Sequence, residues 1–301
     1  MKRIKRTLAA LLIVVLTLAL LGEAVFADNS EQPVWPEEGA IQLSKSAAAV
    51  EGKENTWEVT LGIQGKNYKT TSDVVLVIDN SNSMYPSKTS KEDRMAKTKA
   101  AANAFVDTLL TEDSTTRIAL VVYNLKETHT GFYTYGNRAE LKQQISSISK
   151  NENDGGTFTQ LGLHTARTLL NSAESTGQNK SIVLLSDGEP TASYRISGNI
   201  ACAEDIKFTD YVFFLGVTKY ATSNINWATA QINCNYNKVD GNGEEFVTDA
   251  ASGLEITGCK HASDGGDDYI THGIATIWES NQAKAAGTTI YSVALQAGTN
   301  G

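Results

Sequence analysis

Five oxygen-bearing side chains in three short segments could together bind a metal ion: Asp79, Ser81, Ser83, Thr157 and Asp187. Two carboxylates and three hydroxyls form a hard ligand set that suits Mg²⁺ first, with Mn²⁺ or Ca²⁺ as alternatives. Because so few carboxylates would neutralise the cation, the metal would stay electrophilic and would accept an acidic group from another molecule. The sequence therefore predicts a divalent-cation site that is completed by a partner.

Each segment also has an ordinary structural explanation. The Asp-x-Ser-x-Ser pattern of residues 79–83 is typical of a turn with a helix cap, and Gly155-Gly156-Thr157 is typical of a loop with a cap. The pair Asp187-Gly188 is typical of a turn after a strand. What favours a site is that all three segments fall at one edge of one predicted parallel sheet, where open α/β folds bind ligands.

The scaffold that would position these segments is predicted by alternating strands and helices from Asp73 onwards. Val74–Ile78 is a continuous apolar, β-branched run, as in strands that are covered on both faces. Apolar spacing predicts helices near residues 94–110, 138–148, 159–171 and 268–286, and strands near 118–123, 128–133, 182–185 and 289–295. The predicted fold class is α/β, a doubly wound, mostly parallel sheet flanked by helices.

The segment before this sheet has a different pattern. Residues 28–38 contain Pro33 and Pro36 and predict a linker. Across residues 39–72, apolar and polar residues alternate with period two, which predicts half-buried β-strands. Because two strands alone cannot close a sandwich, we expect a split Ig-like domain whose other strands lie beyond Gly301.

Residues 1–27 predict a signal peptide, so the mature chain would begin near Asp28. Four basic residues, Lys2, Arg3, Lys5 and Arg6, precede the apolar run Leu8–Leu21. This run is shorter than the roughly 20 residues of a membrane-spanning helix. The mature domain is therefore expected outside the cell, with no part inserted in the membrane.

The chain has a net charge of −8. Nucleic acid selects clustered Lys and Arg, so this acidic chain is a poor partner for it.

The three cysteines, Cys202, Cys234 and Cys259, fall within one stretch of the chain. An exported protein permits a disulfide, and the third thiol would remain free or pair with something outside this segment. No Cys-x-x-Cys pair occurs and the histidines are scattered, so a zinc site is not predicted.

Three motifs resemble the metal-ion-dependent adhesion site of the von Willebrand factor A family, whose fold is Rossmann-like. The motifs are residues 74–83, Gly155-Gly156-Thr157 and residues 184–188. The resemblance covers residues 73–301, is C-terminally incomplete, and is interrupted by an insertion near 192–262. This family includes tip adhesins of Gram-positive pili.

The resemblance implies a role for each of the five residues. Ser81 and Ser83 would bind the metal directly, and Thr157 would do so in the ligand-gripping state. Asp79 and Asp187 would act mostly through bound water. The sixth position would accept a Glu or Asp of an extracellular protein ligand, and other pilus subunits are further candidate partners.

The insertion resembles the arms that flank this site in pilus tip adhesins. Its aromatic residues, among them Tyr194, Trp227 and Tyr236, would either choose the partner or fill the insertion's own core. A calcium loop around Asp240 is only weakly indicated, because the rest of that pattern is missing. Lys45 and Lys53 stand where pilin-like domains form isopeptide crosslinks.

The leading hypothesis is a metal-dependent adhesin of the bacterial surface, attached to the cell wall or a pilus through a region beyond Gly301. A structural pilin or scaffold subunit is the first alternative. A metal-dependent hydrolase is the second, and it lacks support because no Ser-His-Asp order or pair of catalytic carboxylates stands out. His164 follows Thr157 on a predicted helix, where a lone histidine is more often a surface or packing residue.

Overall fold

The computed structural model divides the chain into two compact units, and the second begins at Thr70. The structure describes residues 41–65, 70–88, 90–151, 153, 155–201, 209–212, 215–220, 225–241, 246–248, 253–257 and 268–295.

The described part of the first unit contains two strands, and the second unit contains the remaining strands and the helices. The strands are β1 (Ile41–Ala49), β2 (Trp57–Gly65), β3 (Ser72–Asp79), β4 (Thr116–Tyr123), β5 (Glu127–His129), β6 (Asn179–Ser186), β7 (Ser193–Ala201), β8 (Thr209–Val212), β9 (Leu215–Tyr220), β10 (Gln231–Asp240), β11 (Phe246–Thr248), β12 (Leu254–Thr257), β13 (Asp268–Thr271) and β14 (Thr289–Ala294). The helices are α1 (Arg94–Leu109), α2 (Arg138–Ser147), α3 (Thr159–Asn171) and α4 (Gly273–Ala285).

The second unit is built on a five-stranded sheet in the order β14-β6-β3-β4-β5. The first four of these strands run parallel, and β5 pairs antiparallel with β4 at the edge. The central strand β3 is buried on both faces, as its continuous apolar run predicts. The predicted mostly parallel sheet is confirmed. The strand predicted near 128–133 is present as β5, which is shorter, and its antiparallel direction was not predicted.

Helices cover both faces of this sheet and divide its core in two. Val74, Leu76 and Ile78 of β3 pack with α1 and α2 on one face. Val75 and Val77 alternate with them and pack with α3 and α4 on the other face. This period-two division lets one strand anchor two helical layers. Among the described residues, no helix has the length and apolarity that crossing a membrane requires.

An ion pair between the buried Asp73 and the half-buried Arg117 links the start of β3 to the start of β4, at the edge of the sheet opposite the candidate site. Arg117 donates from Nε to Asp73 Oδ1 at 2.8 Å and from Nη2 to Asp73 Oδ2 at 2.7 Å. Ser175 and the backbone N–H of Gly177 also donate to Asp73. Burial alone would raise the pKa of Asp73, but Arg117 and these hydrogen bonds outweigh it and lower the pKa below 3.8.

The predicted helix over residues 268–286 is wrong at its start. Asp268–Thr271 is strand β13, which pairs with β9 and β11, and the helix begins only at Gly273. Tyr269, Ile270 and Thr271 are residues that favour strands, and pairing with segments distant in the sequence outweighs their match to helical spacing.

The residues between β6 and α4 form two further sheets, with strand orders β10-β7-β12 and β11-β13-β9-β8. A third apolar cluster is shared by these strands and the first turn of α4, through Ile196, Ile256 and Ile274 among others. Trp227 packs against this cluster, so one of the aromatic residues of the insertion does fill the insertion's own core.

The calcium loop that the sequence weakly indicates around Asp240 stays a prediction. Asp240 forms an ion pair with Arg195, and Asn242 and Glu244, which the hypothesis also needs, lie outside the described residues.

In the first unit, β1 and β2 form an antiparallel hairpin in which Leu43 pairs with Ile63 and Lys45 with Leu61. The apolar side chains that alternate along it are exposed, for example Leu61 at 71% and Ile63 at 75%. The two predicted strands are present, whereas the split Ig-like domain and the isopeptide crosslink stay predictions.

Candidate metal centre

The first loop of the site begins where β3 ends, at the fully buried Asp79. Asp79 Oδ1 accepts a hydrogen bond from the backbone N–H of Ser81 at 2.8 Å. Its Oδ2 accepts from the Ser186 hydroxyl at 2.6 Å, and Ser186 ends the neighbouring strand β6. The side chain of Asp79 thus connects the C-terminal ends of the adjacent parallel strands β3 and β6.

A chain of short contacts links the remaining side chains of the first and third segments. Ser81 Oγ and Ser83 Oγ lie 3.0 Å apart, and Ser83 Oγ donates to Asp187 Oδ1 at 2.8 Å. Ser81 and Asp187 are buried, and Ser83 is exposed. Four of the five predicted residues therefore form one connected cluster.

The fifth predicted residue, Thr157, lies in the loop before α3. Its side chain is buried, and the residue lines a shallow depression together with Asn82, Ser83, Gly155, Gly156, Gly188, Glu189 and Thr191. The backbone N–H of Asn82 donates to the Gly155 carbonyl at 2.9 Å, which holds this loop against the first one. A Cβ added at Gly155 would lie 1.9 Å from Asn82 Nδ2, so glycine permits this close approach.

Sequence reasoning missed one side chain of the cluster, Arg94. Its Nη1 donates to Asp187 Oδ2 at 2.9 Å and to the Ser83 carbonyl at 2.8 Å. Arg94 is the first residue of α1, where a positive charge opposes the helix dipole. That unfavourable position is the signal in the sequence that could have indicated a role for this arginine.

Burial dominates the electrostatics of the site. It raises the pKa of Asp79 from 3.8 to about 6, although hydrogen bonds from Ser186 and Ser81 oppose the shift and nearby Asp187 adds to it. The two neighbouring buried carboxylates, Asp79 and Asp187, favour a cation beside them. The described residues contain no metal-binding group of three or more His, Cys, Asp or Glu side chains. A metal at this position would therefore be bound by the two carboxylates together with hydroxyl oxygens of the cluster. This donor set fits a hard divalent cation.

A family model of the von Willebrand factor type A domain matches residues 73–244. The chain belongs to this family. The A domain of this chain is similar to minor fimbrium subunit Mfa5 of Porphyromonas gingivalis, with 33% identity over 194 residues, covering 61% of this chain and 15% of Mfa5. The chain thus corresponds to a small part of that relative.

Two solved structures share the fold of the A domain. The three N-terminal domains of the type V pili tip protein Mfa5 give a TM-score of 0.54 at 24% identity, over 86% of this chain and 49% of that chain. The open conformation of the pilus adhesin SpaC from Lactobacillus rhamnosus GG gives a TM-score of 0.50 at 21% identity, over 85% and 28%. Porphyromonas gingivalis is Gram-negative, so the resemblance to tip adhesins of Gram-positive pili does not assign this chain to a Gram-positive bacterium.

The insertion of the A domain leaves the core beside the candidate metal centre. The backbone N–H of Thr191 donates to the Thr157 carbonyl at 2.8 Å, and the Thr191 hydroxyl accepts from the Thr157 N–H at 2.9 Å. Strand β7 begins two residues later, and Ser193 Oγ lies 2.8 Å from Nδ1 of His272, which precedes α4. The start of the insertion therefore lies next to Thr157 and against the residue that precedes α4.

A polar cluster fastens the insertion of the A domain to α3 and α4. The fully buried Glu279 of α4 accepts hydrogen bonds from Arg167 Nε at 2.7 Å and from the Tyr236 hydroxyl at 2.8 Å. His164 lies 3.2 Å from Glu279 and stacks on Tyr236, with ring centroids 4.0 Å apart. Tyr194 contacts both of these rings. These two tyrosines of the insertion are thus packing residues at its base, and so is His164.

The thiol of Cys234 is free in the structure and accepts a hydrogen bond from Gln160 Nε2 at 3.4 Å. Burial raises its pKa from 9.0 to about 11, which disfavours the thiolate, the reactive form of a cysteine. Cys202 and Cys259 lie outside the described residues.

Proposed function

We propose that this protein is a metal-dependent adhesin of the bacterial surface. A divalent cation, Mg²⁺ in the first instance, would be held by Asp79, Ser81, Ser83, Thr157 and Asp187. Once bound, the cation supplies a Lewis-acidic position for a Glu or Asp carboxylate of an extracellular protein. The observation that carries the proposal is the hydrogen-bonded chain from Asp79 through Ser81 and Ser83 to Asp187.

The residues around the cation would each contribute something definite. Asp79 and Asp187 provide the negative charge, and their burial keeps that charge from being screened by water. The Ser81 and Ser83 hydroxyls offer lone pairs without adding charge, which preserves the attraction for a further acidic ligand. Ser83 and Thr157 line a depression on the surface, which a partner can reach.

The proposed location is a pilus or another surface structure, with secretion directed by residues 1–27. Named relatives and structural neighbours support it, since they are a fimbrium subunit, a pilus tip protein and a pilus adhesin. The same names support binding rather than catalysis. A structural subunit that uses the A domain for pilus assembly is the second candidate, favoured by the description of Mfa5 as a fimbrium subunit.

Calorimetric titration with Mg²⁺, followed by binding to immobilised extracellular-matrix proteins with and without a chelator, tests the proposal. We expect Mg²⁺ uptake and chelator-sensitive binding, and we expect Asp79→Ala to lose both while keeping its circular dichroism spectrum. The matched control is Asp113→Ala, since Asp113 is an exposed loop carboxylate outside the cluster. No Mg²⁺ uptake by the unaltered protein would reject the metal centre. Metal-dependent hydrolysis of simple esters would favour the enzyme alternative.

A further inference from the structure

A second shallow depression adjoins the candidate metal centre. It is lined by Asn82, Pro86, Ser87, Lys88, Lys91 and Lys150. Asn82 also lines the depression that contains Ser83 and Thr157, so the two depressions meet at this residue. A ligand that reaches the metal centre therefore passes within reach of lysine side chains.

The three lysines form a local positive surface on an acidic protein. Lys88 and Lys91 come from the segment between the Asp-x-Ser-x-Ser loop and α1, and Lys150 follows α2. All three are exposed, and Lys88 and Lys91 form no ion pair with any residue that the structure describes. Because the whole chain carries a net charge of −8, this concentration of positive charge does not reflect its composition.

We propose that Lys88, Lys91 and Lys150, the lysine rim, bind a second acidic residue of the partner. The partner is then an acidic polypeptide segment, in which one carboxylate goes to the metal centre and a neighbouring one to the rim. This inference rests on the proposed function, because it assumes that the metal centre takes the first carboxylate.

The chemistry of the rim favours carboxylates of a peptide over sulfate groups of a polysaccharide. No arginine lines this depression among the described residues, and the planar fork of arginine is the group that pairs most specifically with sulfate and phosphate. Lysine is a mobile point charge that accepts carboxylates in many geometries. Exposed pairs of this kind add modest affinity each, steer association and are weakened by salt.

The experiment uses two dye-labelled synthetic peptides of equal length. Each carries one central Glu, which is flanked by Asp in the first peptide and by Asn in the second. Fluorescence anisotropy measures the affinity of the protein for both at saturating Mg²⁺, at low and at physiological ionic strength. The variants are Lys88→Glu with Lys91→Glu, and a matched control, Lys238→Glu with Lys284→Glu, at two exposed positions outside this depression.

We expect the unaltered protein to bind the Asp peptide about tenfold more tightly than the Asn peptide at low salt. The preference should shrink with added salt, persist in the control and reverse in the Lys88→Glu, Lys91→Glu variant. Two outcomes would overturn the inference and leave the proposed function intact: Mg²⁺-dependent binding with no preference for the Asp peptide, or a preference for it that survives charge reversal of Lys88 and Lys91.

If neither peptide bound in an Mg²⁺-dependent way, the result would contradict the proposed function itself. Tighter, Mg²⁺-independent binding of a heparin fragment that depends on Lys88 and Lys91 would assign the rim to sulfated glycans and also overturn the inference.

Discussion

Arg94 Nη1 lies 2.9 Å from Asp187 Oδ2, which places a guanidinium among the side chains proposed to hold a metal. Asp187 is almost fully buried, and Arg94 is 22% exposed. The same nitrogen also donates to the Ser83 carbonyl, so the arginine is fixed by both segments of the site. The guanidinium thus compensates part of the negative charge of Asp79 and Asp187.

Replacing Arg94 by Gln should strengthen Mg²⁺ binding roughly tenfold, because a positive charge that repels the cation is removed. Calorimetric titration measures the affinity directly. Arg94→Lys keeps the charge and should stay close to the unaltered protein. If Arg94→Gln weakens Mg²⁺ binding instead, the main role of the arginine is to orient Asp187.

Gly162→Ala should destabilise the A domain by about 1–3 kcal/mol. Gly162 lies in α3 where the helix packs on β4, and an added Cβ would come within 2.6 Å of Tyr123 Cδ1 and 3.0 Å of Val77 Cγ1. Both residues are buried and cannot move aside freely. Urea unfolding measures the change. Gly131→Ala is the control, since nothing lies within 4 Å of its added Cβ, and an equal loss there would contradict the packing argument.

Glu279→Gln should reduce the free energy of unfolding by about 2–3 kcal/mol, because it leaves the half-buried Arg167 guanidinium without the fully buried carboxylate that is its counter-charge. Limited proteolysis should also cut the insertion sooner, since Tyr236 loses a charged hydrogen-bond acceptor. Glu112→Gln, at an exposed position in a turn outside the helices, should change neither quantity. Unaltered protease resistance in Glu279→Gln would show that apolar packing alone holds the insertion.

The Asp73–Arg117 pair should make stability depend on pH in acid. Because the pKa of Asp73 is lowered in the folded state, its contribution is complete above the pKa of the unfolded chain, about 4, and is lost as the pH falls through the folded value. Asp73→Asn should therefore cost about 1–2 kcal/mol at pH 7 and progressively less below about pH 4. Urea unfolding of both proteins across this range measures the gap, and a gap that stays constant with pH would contradict the assignment.

Local patterns predicted most of the central fold. The both-faced burial of Val74–Ile78 and the helical spacing of α1 to α3 are properties of short segments, so one sequence was enough. The convergence of Asp79, Ser83 and Asp187 followed from the rule that parallel strands end at one edge of the sheet.

Non-local pairing explains what the sequence did not predict. Asp268–Thr271 matches helical spacing, but its pairing with β9 and β11 decides its conformation, and those partners are distant in the sequence. The base of the insertion was missed for the same reason, because Tyr236 and Glu279 are brought together only by the folded chain. An arginine at the start of a helix, such as Arg94, is visible in the sequence, but its position alone does not indicate that it pairs with Asp187.

The fastening of Tyr236 to Glu279 and Arg167 affects how a shortened version of this protein can be made. Excision of residues 192–262 would remove Tyr236 and expose to water the Glu279 carboxylate and the Arg167 guanidinium, which the insertion now helps to shield. A minimal domain for structural work or immunisation should therefore carry polar, mutually compatible replacements at both helix positions. Without them, lost adhesion in the trimmed molecule would report damage to the helices and say nothing of what the excised segment recognises.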